Sequence, residues 1–287
     1  MTAAFEKAYG IKVAMWRGGS EEILQRAVTE ARGRRYDFDV VETAATQIEA
    51  IYREKLLAEV TTPVAADMMR EATIAGRPWL PSRLIVFTGA YNTRLIKPAE
   101  VPKSYADLLD PKWKGKIVKA HPGYSGTIMT ATQQLARDLG WGYLEKLAAQ
   151  NVMQVQSASD PPKKLALGER AVQADGNEYN LHQLKEAGQP VEPLYAAEGT
   201  PLIIGPNGIF KNAPNPNAAR LFQAYCFTAE CQQLVIDVGG LRSMHPQTRE
   251  KPGRKPFKEI KTLKEDAAAV EKQGEEIRQR YSRLFKV

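Results

Sequence analysis

Short apolar runs alternate along the chain with longer segments whose apolar residues recur at helical spacing, which is the pattern of an α/β protein. The apolar runs predict strands at 11–15, 38–42, 84–87, 117–120, 151–156, 171–175, 191–195 and 202–209. The periodic segments predict helices from Ser20 to Gly33, at 46–55 and 104–109, from the end of a 121–127 loop to Leu139, at 163–168, and from the end of a 176–180 loop to Ala187. Further helices are predicted at 216–227 and 229–238, with a long polar helix at 266–285. Ser20 reads as an N-cap before Glu21 and Glu22, whose charges suit the positive start of a helix. Ile23, Leu24, Ala27 and Ala31 then form one apolar face, and Gly33 stops the run. The longest apolar candidate, 84–87, is far short of the roughly 18 residues of a membrane span.

Length adds a bound to this picture. A chain of 287 residues suggests two domains, or one large one, at about 100–200 residues each. Hydrophobic residues at 43% and charged residues at 25% exclude collagen-like, fibrous and wholly disordered classes. The formal charge is +7, and the segment 249–264 carries most of it through seven Lys and Arg residues against Glu250 and Glu259. Pro252, Gly253 and Pro256 lie in the same stretch, without the aromatic ladder that a single-strand binding groove needs. With no zinc-finger or RNP pattern elsewhere, it reads as a solvated basic loop, and no nucleic acid partner is expected. Cys226 and Cys231 are five apart in a helical segment, about 8–9 Å on a continuous helix, so two buried free thiols are expected. The stretch from Met1 to Lys7 lacks a basic region followed by an apolar core and does not read as a signal peptide.

Three loops share one build, a strand, then a turn containing Gly or Ser, then a helix. They are Arg17-Gly18-Gly19-Ser20, Gly123-Tyr124-Ser125-Gly126-Thr127 and Gly176-Asn177-Glu178-Tyr179-Asn180. Ligands of open α/β sheets sit outside the carboxyl ends of the strands. A helix start there offers unpaired N–H groups and a positive partial charge, which suits an oxyanion. Arg17 has the guanidinium fork that clamps carboxylate or phosphate, and equally that of a surface ion pair. Tyr124, Ser125 and Thr127 offer hydroxyls to the same ligand, against a plain N-cap role for Ser125. Small residues in such loops also make tight turns without any ligand. Ser125, His121 and Asp175 match no nucleophile elbow, and neither a Walker A nor a GxGxxG pattern is present, so an enzyme is not expected.

The segment from Val101 to Ile117, VPKSYADLLDPKWKGKI, closely resembles the "P-x-S-[WY]-x-D-L-L-D-P-x-W-K-G-K-I" signature of periplasmic solute-binding proteins of the ferric-iron-binding type, which feed ABC importers. Tyr91-Asn92-Thr93 resembles that family's "YNT" strand end, and Tyr36-Asp37-Phe38-Asp39-Val40-Val41 its "DVV" strand. Glu198-Gly199-Thr200 resembles the "EGT" return, and Ala213-Pro214-Asn215-Pro216-Asn217-Ala218-Ala219 the "APNPNAA" helix start. The resemblance runs in consistent order from about Phe5 to the C-terminus.

It implies a two-lobed α/β clam-shell of the type II periplasmic-binding-protein kind, with ligand in the cleft between lobes. The crossings would fall near 84–91 and 195–203. Lobe one is then 1–88 plus 201–287, and lobe two 89–200. The family's signal peptide and the first strand of lobe one lie upstream of the segment resembling 5–13, so the natural product is expected to begin before Met1. The resemblance further implies a periplasmic, monomeric protein that serves a permease of the inner membrane and turns nothing over. His121 reads as a surface or hinge residue, His182 as solvated, and His245 as bordering the cleft from lobe one. No cofactor is expected, and ferric iron is a possible transported ligand. Ferric-binding members hold iron through adjacent tyrosines, where this chain has Glu178 and Tyr179, one tyrosine only. Fe(III) favours oxygen donors, and Glu178 with Tyr179 supplies two. The single tyrosine favours instead a small organic or phosphorylated anion, with the Tyr179 hydroxyl on its wall.

Overall fold

A computed structural model describes residues 1–59 and 79–287. The elements in chain order open with α1 (Thr2–Tyr9), α2 (Ser20–Arg32), β1 (Val40–Glu42), α3 (Ala45–Arg53), β2 (Trp79–Val86) and β3 (Gly89–Asn92). Three short 3-10 turns precede β4 (Ile117–Ala120), which leads into α4 (Gly126–Leu139), α5 (Trp141–Ala148) and β5 (Met153–Val155). There follow α6 (Asp160–Ala166), β6 (Val172–Gln173), α7 (Glu178–Glu186), β7 (Val191–Leu194) and β8 (Thr200–Ile209). The chain closes with α8 (Pro216–Cys226), α9 (Ala229–Asp237), β9 (Thr262–Leu263) and α10 (Ala267–Phe285). Among the described residues no helix is long and apolar enough to cross a membrane.

The chain forms two compact units, one of Met1–Leu84 with Ile204–Arg254, the other of Ile85–Ile203 with Lys255–Val287. The first unit is built on strands ordered β1-β8-β2, with Val40, Val41 and Glu42 antiparallel to Ile209, Gly208 and Asn207. Ala27 of α2 and Ile48 and Ile51 of α3 pack with Val41, Leu57 and Trp79 into one core. A second core seats α1 on α8 and α9, where Phe5, 1% exposed, meets Phe222 edge-on at 5.0 Å. The segment 11–15 is not a strand. Its backbone joins no ladder among the described residues, and the Val13 amide instead donates to the Glu6 carboxylate at 2.8 Å. The helix expected to be capped by Ser20 is capped by Gly19, with Ser20 its first residue. The two helices predicted around the cysteines form as α8 and α9, separated at Phe227 and Thr228. Thr228 then caps α9, and both thiols are buried and free.

The second unit carries a five-stranded sheet ordered β5-β4-β6-β3-β7. The β5, β4 and β6 strands are mutually parallel, whereas β3 is antiparallel to both β6 and β7. Tyr105, Leu108 and Trp113 of the 101–117 segment anchor its core, packing with Ile117, Leu144 and Val172. Glu198 reaches the same segment, its carboxylate accepting from the Tyr105 and Ala106 amides at 3.1 and 3.2 Å. Two of the recognised motifs are thereby in direct contact. Residues 255–287, expected with lobe one, cluster with this unit instead. The reason is α10, whose polar composition conceals an inward face. Val270 and Ile277 pack on Met129 of α4, and Arg280 pairs with Glu145 of α5 at 3.1 Å.

Lys119 of β4 is wholly buried and paired with Asp175 at 2.6 Å, with Thr132 of α4 a further 3.4 Å partner. Removing one partner of a buried ion pair leaves the other charge uncompensated, at a cost of about 3–5 kcal/mol. Lys119→Met alone should lower stability by that amount in urea unfolding, and Lys119→Met with Asp175→Leu should recover most of it. A single variant as stable as the parent contradicts the pair's role.

Candidate functional site

Because β5, β4 and β6 are neighbours and run the same way, the loops at their carboxyl ends leave from one edge of the sheet. Each loop runs into a helix: 121–125 into α4, 156–159 into α6, and 174–177 into α7. The loops touch, since the Asn177 amide donates to the Ala158 carbonyl at 3.5 Å and the His121 amide to Val155 at 2.8 Å. This is the edge at which open α/β sheets bind ligands.

The edge is lined with hydroxyls and amides. Ser125 holds the N-cap backbone position of α4, but its hydroxyl makes no cap bond and meets the Thr127 hydroxyl at 2.9 Å. The half-buried pair spans the N-cap and the first turn of α4, where Gly126 is buried. Tyr124 is 56% exposed beside it. Ser157 and Ser159 are likewise paired at 2.9 Å. The Asn177 side-chain amide donates to the Tyr179 hydroxyl at 3.2 Å and to Asn180 at 3.0 Å. Asn177 is itself buried and Tyr179 half-buried.

Glu178 departs from the expected picture of a ligand donor. It is 1% exposed, accepts the Tyr195 hydroxyl at 2.5 Å, and lies 3.7 Å from Nε2 of His182. His182, expected in solvent, is buried, because one turn of α7 places it beside Glu178 on the inward face. His121, expected as a surface or hinge residue, is also buried. Among the described residues no three His, Cys, Asp or Glu side chains gather as a metal cluster, a count that does not include tyrosine.

In the first unit the 17–20 loop is exposed, apart from half-buried Ser20. Among the described residues Arg17 forms no ion pair. The Gly19 amide already donates to the Glu22 carboxylate at 3.3 Å, so the start of α2 holds an anion of its own. A Cβ on Gly18 would lie 2.7 Å from the Glu22 and Trp16 side chains, so a larger residue would displace them. The Trp16 ring lies against the Arg26 guanidinium, 4.5 Å away, and Arg26 is as close to Phe38. His245 is buried within this unit, its Nδ1 accepting from the Gln247 amide at 3.2 Å.

A profile of bacterial extracellular solute-binding proteins matches residues 1–262. The chain belongs to that family. It is similar to a Salmonella paratyphi A protein named for 2-aminoethylphosphonate binding in the periplasm, with 32% identity over 82% of this chain and 70% of the relative. Solved structures agree on the fold, that of type II periplasmic binding proteins. AfuA of Actinobacillus pleuropneumoniae, described with fructose-6-phosphate bound, superposes with a TM-score of 0.88 at 23% identity, covering 100% of this chain and 94% of that one. Iron-bound HitA of Pseudomonas aeruginosa gives 0.83 at 21% identity, covering 99% and 94%.

For a solute-binding protein the sequence pointed to two of the three loops at this edge and passed over the third. The 156–159 loop was hidden by Pro161 and Pro162, which look like a break but sit in the first turn of α6, where proline is tolerated. The run Ser157-Ala158-Ser159-Asp160 ahead of those prolines was the available signal. The Glu178–His182 contact had a signal in its i, i+4 spacing on α7, whereas the Tyr195 contact had none, since Tyr195 lies beyond β7. Tyr195→Phe removes a donor from a buried carboxylate and should cost about 1.5–3 kcal/mol in urea unfolding. An unchanged midpoint would mean that Glu178 does not depend on this bond.

Proposed function

We propose that this protein is the periplasmic solute-binding component of an ABC importer, monomeric and without turnover, and that its cargo is a small organic or phosphorylated anion. The single observation behind this reading is the edge of β5, β4 and β6, where paired hydroxyls at Ser125–Thr127 and Ser157–Ser159 sit at the starts of α4 and α6 and Asn177 at the start of α7. Helix starts with adjacent hydroxyls coordinate oxyanions through N–H and O–H donors, without a basic side chain. Ser125, Gly126, Thr127, Tyr124 and Tyr179 are the proposed contacts in this unit. Arg17 and the Gly18-Gly19-Ser20 backbone are proposed as further anion contacts in the other, where an incoming anion competes with the Glu22 carboxylate for the Gly19 amide. The relatives named for a phosphonate and described with a sugar phosphate support this cargo class. Delivery then calls for a permease of the inner membrane as partner.

Ferric iron is the second reading, because Tyr179 and Glu178 open α7 and HitA is described as iron-bound. The Glu178 carboxylate is committed to Tyr195, and Tyr179 is a lone phenol, so the anion is favoured.

Inorganic phosphate, methylphosphonate and a hexose phosphate should be screened by thermal shift. A ligand at a hundredfold excess over its dissociation constant adds about 2.7 kcal/mol to the folded state. Ser125→Ala with Thr127→Ala should weaken the hit roughly tenfold or more, since bonds to charged groups are worth about 1.5–3 kcal/mol each. Arg17→Ala should weaken it as well. No shift with any anion, together with a coloured protein that loses its colour in Tyr179→Phe, supports iron instead.

A further inference from the structure

The 121–127 loop is held from below by a histidine that the ligand reading does not use. We propose that His121, as a neutral imidazole tied to α10 through Ser282, is the positioning residue of this loop, and that protonating it releases the loop and the bound anion. This rests on the reading that 124–127 contacts the solute.

The geometry fixes the tautomer. The Gly123 amide donates to Nδ1 of His121 at 2.9 Å, so Nδ1 carries no proton. Nε2 then carries it, and donates to the Ser282 hydroxyl at 3.1 Å. The ring stands edge-on to Tyr281 at 5.0 Å and near Tyr124 at 5.3 Å, between α10 and the exposed end of the loop. A Cβ on Gly123 would lie 2.9 Å from the ring, so only glycine lets the backbone come this close. One side chain thus joins β4, the loop backbone and α10 in a single chain of hydrogen bonds.

A second proton has one place to go, Nδ1, and there it would face the Gly123 N–H. The bond that shapes the loop is replaced by two opposed donors. The surroundings resist this. Burial, Lys119 of β4 and Arg278 of α10 all hold the His121 pKa below the usual imidazole value. From β5 the contact is the uncharged Val155 carbonyl, and the Lys119 ammonium is matched by Asp175 rather than by the ring. The sign follows. The unfolded chain takes up the proton near pH 6.5 whereas the fold does not, so stability is full above that pH and declines as pH falls below it. The loop therefore stays set at neutral pH and is released only in more acid conditions.

The test needs no known ligand for its first arm. In NMR spectra of the full chain between pH 8 and 5, the Gly123 amide should shift together with the His121 ring, with one shared midpoint below 6.5. Ser282→Ala should move that midpoint, and His121→Asn, which keeps an acceptor near the Nδ1 position, should hold the Gly123 shift constant. A Gly123 amide that ignores the ring's titration, or a ring titrating above 6.5, overturns the proposal. The second arm measures affinity for sulfate, whose charge is constant over this range. The parent should lose affinity as pH falls from 7.5 through the midpoint of the ring, and His121→Asn should lose less, whereas equal losses overturn the proposal. If sulfate and phosphate both fail to bind at any pH, it is the anion reading that falls, and the Gly123 response alone decides whether His121 sets the loop.

Discussion

An ammonium with no exposure to water is the strictest constraint in the second unit. Moving such a charge out of water costs several kcal/mol after relaxation, so Lys119 must keep Asp175 beside it. That requirement reaches far from the two atoms. Lys119 belongs to β4 and Asp175 lies two residues past β6, so their 2.6 Å contact ties the exit of one site loop to the body of the strand that feeds another. Thr132 brings α4 to the same ammonium, and the Tyr281 ring of α10 lies 5.5 Å from it. One Asp175 oxygen has no hydrogen-bond partner, so the acid is only half satisfied. Loops that carry mostly small residues are held in place by this charge pair beneath them.

Above it, the chemistry is mild. The edge offers serine and threonine hydroxyls, a buried asparagine amide, one half-buried phenol and the first turns of two helices. Donors of this kind recognise an oxyanion by the directions of its lone pairs, and at this edge they do so without a basic side chain. The carboxylate nearest the start of α7 is kept from any anion by its own contacts with Tyr195 and His182. A transport protein must let go of its cargo, and uncharged donors suit that duty better than a buried arginine does.

Local features of this fold were legible in the sequence, and tertiary ones were not. The 117–120 strand and the end of α4 at Leu139 were read from apolar patterning, because each element buries a side that its own residues declare. The 101–117 signature placed the family from side chains such as Tyr105, Leu108 and Trp113, all of them buried in the core. The 11–15 run misled because alternation describes a side chain's surroundings and supplies no neighbouring strand. The assignment of 255–287 failed because Val270, Ile277 and Tyr281 are sparse among charges, so the docking face of α10 is visible only beside Met129 and His121. For the site, Ser125 and Thr127 could be read from a strand-to-helix turn and the Glu178–His182 pair from its i, i+4 spacing, whereas Tyr195 reaches Glu178 from a separate element and leaves no linear trace.

The central claim is that an anion binds where β5, β4 and β6 deliver their loops. The most direct measurement is an amide chemical-shift map of the full chain titrated with inorganic phosphate. The account predicts saturable shifts concentrated at Gly126, Thr127, Ser159 and Tyr179, with the α5 and α9 amides unmoved. Saturable binding whose shifts avoid all three loops would contradict it.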